Sequence, residues 1–139
     1  MKMKEHLLVG PFALFEEDGE EAIFFETINE ILEDRYDVLW GQRYIGYDSK
    51  GTRFVITLRV EPRKFFLDVE RLYIDQIDEG NYSQEARDRI AASLDGMIKT
   101  WSRSTGSVVP PEYFPDSIAA ATLEELVRLG TKREQISAR

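Results

Sequence analysis

Residues 52–60 read Thr-Arg-Phe-Val-Ile-Thr-Leu-Arg-Val, and no other stretch constrains the fold so tightly. Thr52, Phe54, Ile56, Leu58 and Val60 alternate with Arg53, Val55, Thr57, Arg59 and Glu61. A period of two gathers one apolar row on one face of a strand, which a helix of this sequence would scatter. Asp48-Ser49-Lys50-Gly51 precedes it and suits a three-residue hairpin loop with Gly51 in the left-handed region. That loop pairs Asp48 with Thr52, Tyr44 with Ile56 and Trp40 with Val60. A second turn centred on Pro62-Arg63, with Glu61 facing Lys64, pairs Val60 with Phe65, Leu58 with Leu67 and Ile56 with Val69. It also sets Asp68 diagonal to Arg59 and Glu70 diagonal to Arg53, contacts worth ~0.2–1 kcal/mol each. Residues 37–75 therefore read as a three-stranded antiparallel meander.

The flanking segments add one strand and three helices. Residues 6–15 predict a first strand, interrupted at Gly10-Pro11, and Asp18-Gly19 predicts a turn. Residues 20–34 read as a helix whose buried stripe is Phe24, Ile28, Ile31 and Leu32, with Ile23 alongside. Residues 75–81 read as an acidic, glycine-containing loop. Ser83 suits the N-cap of a long helix that buries Ala86, Ile90, Leu94, Ile98 and Trp101, with Met97 beside them, and ends over 102–107. Residues 108–115, with Pro110-Pro111, read as extended. A last helix over 116–129 buries Ile118, Leu123, Leu126, Val127 and Leu129, with Gly130 as its stop. The order β-α-β-β-β-α-α makes an α+β domain with an antiparallel sheet of about four strands. Residues 1–130 form one domain, and 131–139 a frayed tail.

Composition narrows the class. Apolar residues are 42% and aromatics 12%, enough for a packed core and too many for a disordered acidic tail. The absence of cysteine excludes disulfides, thiolate metal sites and cysteine nucleophiles. Lys2 and Lys4 before Leu7–Phe15 imitate a signal peptide, but Gly10-Pro11 breaks the run and Glu16-Glu17-Asp18 follows at once. No apolar run reaches the ~20 residues that a membrane span requires. The expectation is a cytoplasmic protein.

The charge is concentrated. Residues 16–37 contain ten acids and one base, Arg35, for a net −9 against −8 for the whole chain. On a helix, Glu26, Glu30 and Glu33 share one face, while Glu33 and Asp34 sit at the end where the helix dipole opposes them. Like charges one turn apart cost roughly 0.2–0.5 kcal/mol per pair. The ordinary explanation is a solvated face that keeps the chain in solution. The functional one is a docking surface for a cationic partner, with Glu16, Glu17, Asp18, Glu20 and Glu21 extending it. Asp75, Asp78 and Glu79 form a secondary acidic loop. It fails as a calcium loop, because counting from Asp75 places Ile77 at position 3 and Ala86 at position 12. No metal site and no cofactor is expected. Net negative charge argues against nucleic acid and anionic membrane as partners.

Enzyme motifs are absent. His6 is the single histidine, which makes Ser-His and Cys-His systems hard to assemble. There is no P-loop, dinucleotide fingerprint or nucleophile elbow. A carboxylate pair is chemically open, but 26 acids make any choice unspecific. Asp68 and Glu70 are more simply neutralised by Arg59 and Arg53. Among the meander aromatics, Trp40, Tyr44, Phe54 and Phe65 fall on the core register. Phe66, Tyr47 and Ile45 fall on the opposite face, where either a helix covers them or they form an apolar patch.

The meander segments Phe54-Val-Ile-Thr-Leu-Arg and Phe65-Phe-Leu-Asp-Val-Glu, followed by a Ser-capped helix from Ser83, resemble the immunity proteins of bacterial contact-dependent growth-inhibition systems. The resemblance covers roughly residues 50–103 and rests on element order and charge. It implies a non-enzymatic protein that binds and blocks a basic toxin domain, nuclease-like in character. Glu26, Glu30, Glu33 and Asp34 would then face lysines and arginines of the toxin. The alternative is a phage or secretion-system assembly component that forms homo-oligomers through the apolar sheet face.

Overall fold

The computed structural model describes residues 8–33, 43–63, 66–78, 80–105 and 109–137. Five strands form one antiparallel sheet in the order β2-β1-β3-β4-β5. They are β1 (Phe12–Glu16), β2 (Ile23–Phe25), β3 (Arg43–Tyr47), β4 (Arg53–Arg63) and β5 (Phe66–Asp78). The helices are α1 (Ile28–Glu33), α2 (Ser83–Thr105), α3 (Pro115–Ala120) and α4 (Leu123–Ser137), with a 3₁₀ turn over Pro111–Tyr113. The fold is α+β, as read from sequence, and among the described residues the sheet has five strands against the about four expected.

The sheet is covered on both faces because its strands alternate between two cores. Ala13, Phe15, Phe24, Ile45, Tyr47 and Val55 pack with Ala86, Ile90 and Leu94 of α2, and with Ile118, Leu126 and Val127 of α3 and α4. Phe12, Leu14, Tyr44, Phe54, Ile56, Leu72 and Ile74 pack on the opposite face with Ile31 of α1. Burying each such large apolar side chain contributes roughly 1.5–3 kcal/mol. Tyr47 and Ile45 thus lie under helices and contribute no exposed patch.

This two-faced sheet explains the first correction. Residues 20–34 do not form one helix. Ile23, Phe24 and Phe25 are successive residues that serve opposite cores, Phe24 on the α2 side and its neighbours on the α1 side. A strand does this and a helix cannot. The helix starts only after Thr27, whose hydroxyl accepts from the Glu30 backbone N–H at 3.2 Å.

The first hairpin has the expected register, with Tyr44 opposite Ile56. Gly51 closes its turn at φ 90°, a conformation that glycine adopts without steric cost. Asp48 fixes the turn from inside. Its buried carboxylate accepts from the backbone N–H groups of Val9, Lys50 and Thr52 at 2.8–3.0 Å. Trp40 lies outside the described residues.

The second hairpin differs from expectation. Leu58 faces Leu72, not Leu67, and Ile56 faces Ile74, not Val69. Pro62 lies inside β4 at a register irregularity between Glu61 and Arg63. Proline is tolerated there because β3 pairs with β4 only as far as Thr57, so no described strand needs its missing N–H. The displaced register also removes the diagonals from Asp68 to Arg59 and from Glu70 to Arg53, since Arg59 now faces Arg71 and Val60 faces Glu70.

α2 starts at Ser83, but Ser83 is its first residue and not its cap: the Tyr82 carbonyl accepts from the Ala86 N–H at 2.9 Å, and Asn81 Oδ1 accepts from the Ser83 N–H at 2.9 Å. The single helix expected over 116–129 is two. Thr122 starts α4 through a reciprocal box: Glu125 N–H donates to the Thr122 hydroxyl at 3.2 Å, and Thr122 N–H to the Glu125 carboxylate at 3.1 Å. Gly130 is no stop, because α4 runs through it to Ser137. Its missing side chain lets α4 approach the Phe24 ring, which a Cβ would overlap. Residues 131–137, read as tail, therefore belong to the last helix.

Candidate functional site: an acidic connection at one end of the sheet

The carboxylates expected on a helix over 20–34 and on the turn before it separate into distinct places. Glu16 ends β1, and Glu16 to Gly19 form a turn in which Gly19 N–H donates to the Glu16 carbonyl at 2.8 Å. Glu17 forms an ion pair with Arg43 at 2.7 Å. Glu16, Asp18, Glu20 and Glu21 stand exposed on the connection between β1 and β2. Five acids in six residues thus cap one end of the sheet.

Glu26, Glu30 and Glu33 do not share a helical face. Glu26 precedes α1, and its backbone N–H donates to the Glu30 carboxylate at 3.1 Å. Glu30 therefore closes the start of α1, and Glu33 ends it, exposed. Strand β2 lies between Glu26 and the connection. Asp34 lies outside the described residues. Among the described residues, 16–21 hold the densest run of exposed carboxylates, and Glu26, Glu30 and Glu33 are exposed beyond β2.

The secondary acidic loop is also corrected. Asp75 and Asp78 belong to β5 and point at arginines of β4. Asp75 pairs with Arg59, whose guanidinium lies over the Tyr73 ring at 5.4 Å. Asp78 pairs with Arg53 at 3.0 Å, and Glu85 of α2 meets the same guanidinium at 3.1 Å. These carboxylates tie the sheet to itself and to α2 instead of extending a free surface. Glu79 lies outside the described residues.

Beside this arginine cluster lies Tyr47, read from sequence only as a ring on the second sheet face and here the centre of a polar network. The Tyr47 hydroxyl donates to Glu85 at 2.5 Å and accepts from Arg89 at 2.9 Å. Burial, followed by the Glu85 hydrogen bond, pushes the Tyr47 hydroxyl above the usual tyrosine range, against the opposing pull of Arg89. Arg89 also donates to the Gly19 carbonyl at 3.2 Å, and Ser93 accepts from the Ala22 N–H at 2.8 Å. The signal available was positional. Arg89 and Ser93 stand one turn apart, each immediately before a residue of the Ile90–Leu94 stripe, so both flank the buried face of α2.

A cleft of about 430 Å³ opens at the far end of β2, lined by Gly10, Pro11, Glu26, Arg128, Thr131 and Lys132. Its cations are matched within the chain, Arg128 by Glu124 at 2.9 Å and Lys132 by Glu112 at 3.2 Å. Among the described residues, no three histidines or carboxylates gather as a metal-ligand set. No described helix is long and apolar enough to cross a membrane.

Fold and surface together define an α+β domain with a two-faced antiparallel sheet and an acidic connection at one end. Comparison with protein-family models, with curated proteins and with solved structures finds no match for the chain.

Proposed function

We propose that this is a non-enzymatic acidic binding protein of the immunity type, which neutralises a basic toxin domain by direct association in the cytoplasm. The contact surface is the connection of residues 16–21. The observation that carries the reading is the outward display of Glu16, Asp18, Glu20 and Glu21 on one short segment, beside a Glu17 already matched by Arg43. Like charges held this close are unfavourable in the isolated chain, and a cationic partner converts that cost into attraction and fast encounter. Nucleic acid and anionic membrane carry the wrong sign for this surface. The assembly-component alternative rested on an apolar sheet face, and Ile45 and Tyr47 of that face are buried.

The test is charge reversal of Glu16, Asp18, Glu20 and Glu21 to lysine together, with both proteins immobilised against a low-salt lysate of the native cell. The wild type retains a basic protein that added salt releases, and the variant does not. Equal retention of the same protein by the variant contradicts the reading.

A further inference from the structure

The acidic connection is gripped from beneath by α2 at two points. Arg89 donates to the Gly19 carbonyl at 3.2 Å and to the Tyr47 hydroxyl at 2.9 Å. Its guanidinium lies 4.2 Å from the Phe15 ring centroid and 5.7 Å from that of Tyr47. One turn later, the Ser93 hydroxyl, buried with its residue at 6% exposure, takes the Ala22 N–H at 2.8 Å. The Arg89–Gly19 and Ser93–Ala22 contacts join residues about seventy positions apart and meet the connection near its middle and at its end. Two aromatic faces and two oxygen acceptors hold the guanidinium in one place, so it is no adaptable surface cation.

We propose that Arg89 and Ser93 form a clamp that holds residues 19–22 in a single conformation, with Arg89 as the positioning residue of the acidic surface. The inference rests on the reading of residues 16–21 as a partner-binding surface and adds how that surface is kept ready. Carboxylates crowded on an unsupported loop would spread apart in water, and ordering them would weaken association. The clamp removes that cost before the partner arrives. It also couples the surface to α2, through Tyr47 and Glu85, so that disturbing the helix disturbs the display.

The test uses the full chain with Arg89→Met, Arg89→Lys and Ser93→Ala. Amide hydrogen exchange is read at Glu17 and Gly19, whose N–H groups bond the Arg43 and Glu16 carbonyls. The probe is an oligolysine peptide at low salt. The clamp predicts exchange at Gly19 about tenfold faster in Arg89→Met, partial recovery in Arg89→Lys, faster exchange at Ala22 in Ser93→Ala, and unchanged protection at Ile90. It also predicts several-fold weaker oligolysine binding by Arg89→Met. Simple electrostatics predicts the reverse, because that substitution leaves the surface more negative. Unchanged exchange at both Gly19 and Ala22 in folded variants overturns the clamp, and so does tighter oligolysine binding by Arg89→Met. Failure of the wild type to bind oligolysine overturns the acidic-surface reading instead, and the exchange data then still decide whether the clamp exists.

Discussion

Gly96 and Gly130 lie inside α2 and α4, and alanine at each should move stability in opposite directions. Glycine within a helix costs about 0.5–1 kcal/mol relative to alanine, through the entropy of the unfolded chain. At Gly96 a Cβ meets nothing within 4 Å. Gly96→Ala should therefore stabilise by about 0.5–1 kcal/mol. At Gly130 the added Cβ runs into three atoms of the buried Phe24 ring. Overpacking of this kind costs about 1–3 kcal/mol, against which the helix gain of under 1 kcal/mol is the smaller effect. Gly130→Ala should lower stability by up to about 2 kcal/mol. For a domain of this size each kcal/mol moves the midpoint by roughly 3–5 °C, so thermal and urea unfolding resolve both signs. Phe24→Leu should relieve the clash, making the Phe24→Leu/Gly130→Ala pair less destabilised than the sum of its parts. If Gly130→Ala stabilises as much as Gly96→Ala, then Phe24 does not sit against α4, and the assignment of 23–25 to a strand between two cores is wrong.

Three further outcomes follow from named contacts. Asp48→Ala leaves the N–H groups of Val9, Lys50 and Thr52 without their acceptor and should cost about 3 kcal/mol or more by urea unfolding. Thr122→Ala removes a reciprocal cap and should cost about 1 kcal/mol. The Thr122 backbone N–H, followed by its hydroxyl, holds the Glu125 carboxyl below the usual glutamate range. A depressed folded pKa gives stability that is complete above the unfolded value and lost as pH falls through the folded one; alanine keeps the backbone N–H and loses only the hydroxyl's part, so the gap between wild type and Thr122→Ala should narrow slightly in acid. Tyr47→Phe keeps the ring and removes the hydroxyl, at about 1 kcal/mol near neutrality. Because burial raises the Tyr47 pKa, that contribution is present below the unfolded value and lost as pH rises through the folded one. Ultraviolet titration should show one tyrosine fewer ionising above the usual tyrosine range in Tyr47→Phe than in the wild type.

What the sequence disclosed was local and periodic. The alternation over 52–60 and the Asp48–Gly51 turn determined a hairpin, because both signals act within a few residues of the contacts they specify. Pro62 misled because a proline reads as a turn wherever it occurs, and its harmless seat on β4 depends on where β3 ends. The charge block misled differently. Its acids suggested one helical face, while the neighbouring Ile23-Phe24-Phe25 held the contrary signal of residues serving two cores. Two boundaries were legible and passed over: Thr27 with Glu30 and Thr122 with Glu125 both place a hydroxyl residue three before a glutamate. The Arg89 contacts to Gly19 and Tyr47 had no local trace, since they join an α2 side chain to a connection and a strand far away in sequence.

The most direct measurement places a photoreactive side chain at Asp18, on the exposed connection, and in a second protein at Asp116, on α3. Each is illuminated in low-salt lysate of the native cell. A surface made to receive a cationic macromolecule should yield a covalent adduct with a basic protein from position 18, diminished by salt and absent from position 116. Adducts with that protein from position 116 alone, with position 18 silent, would contradict it.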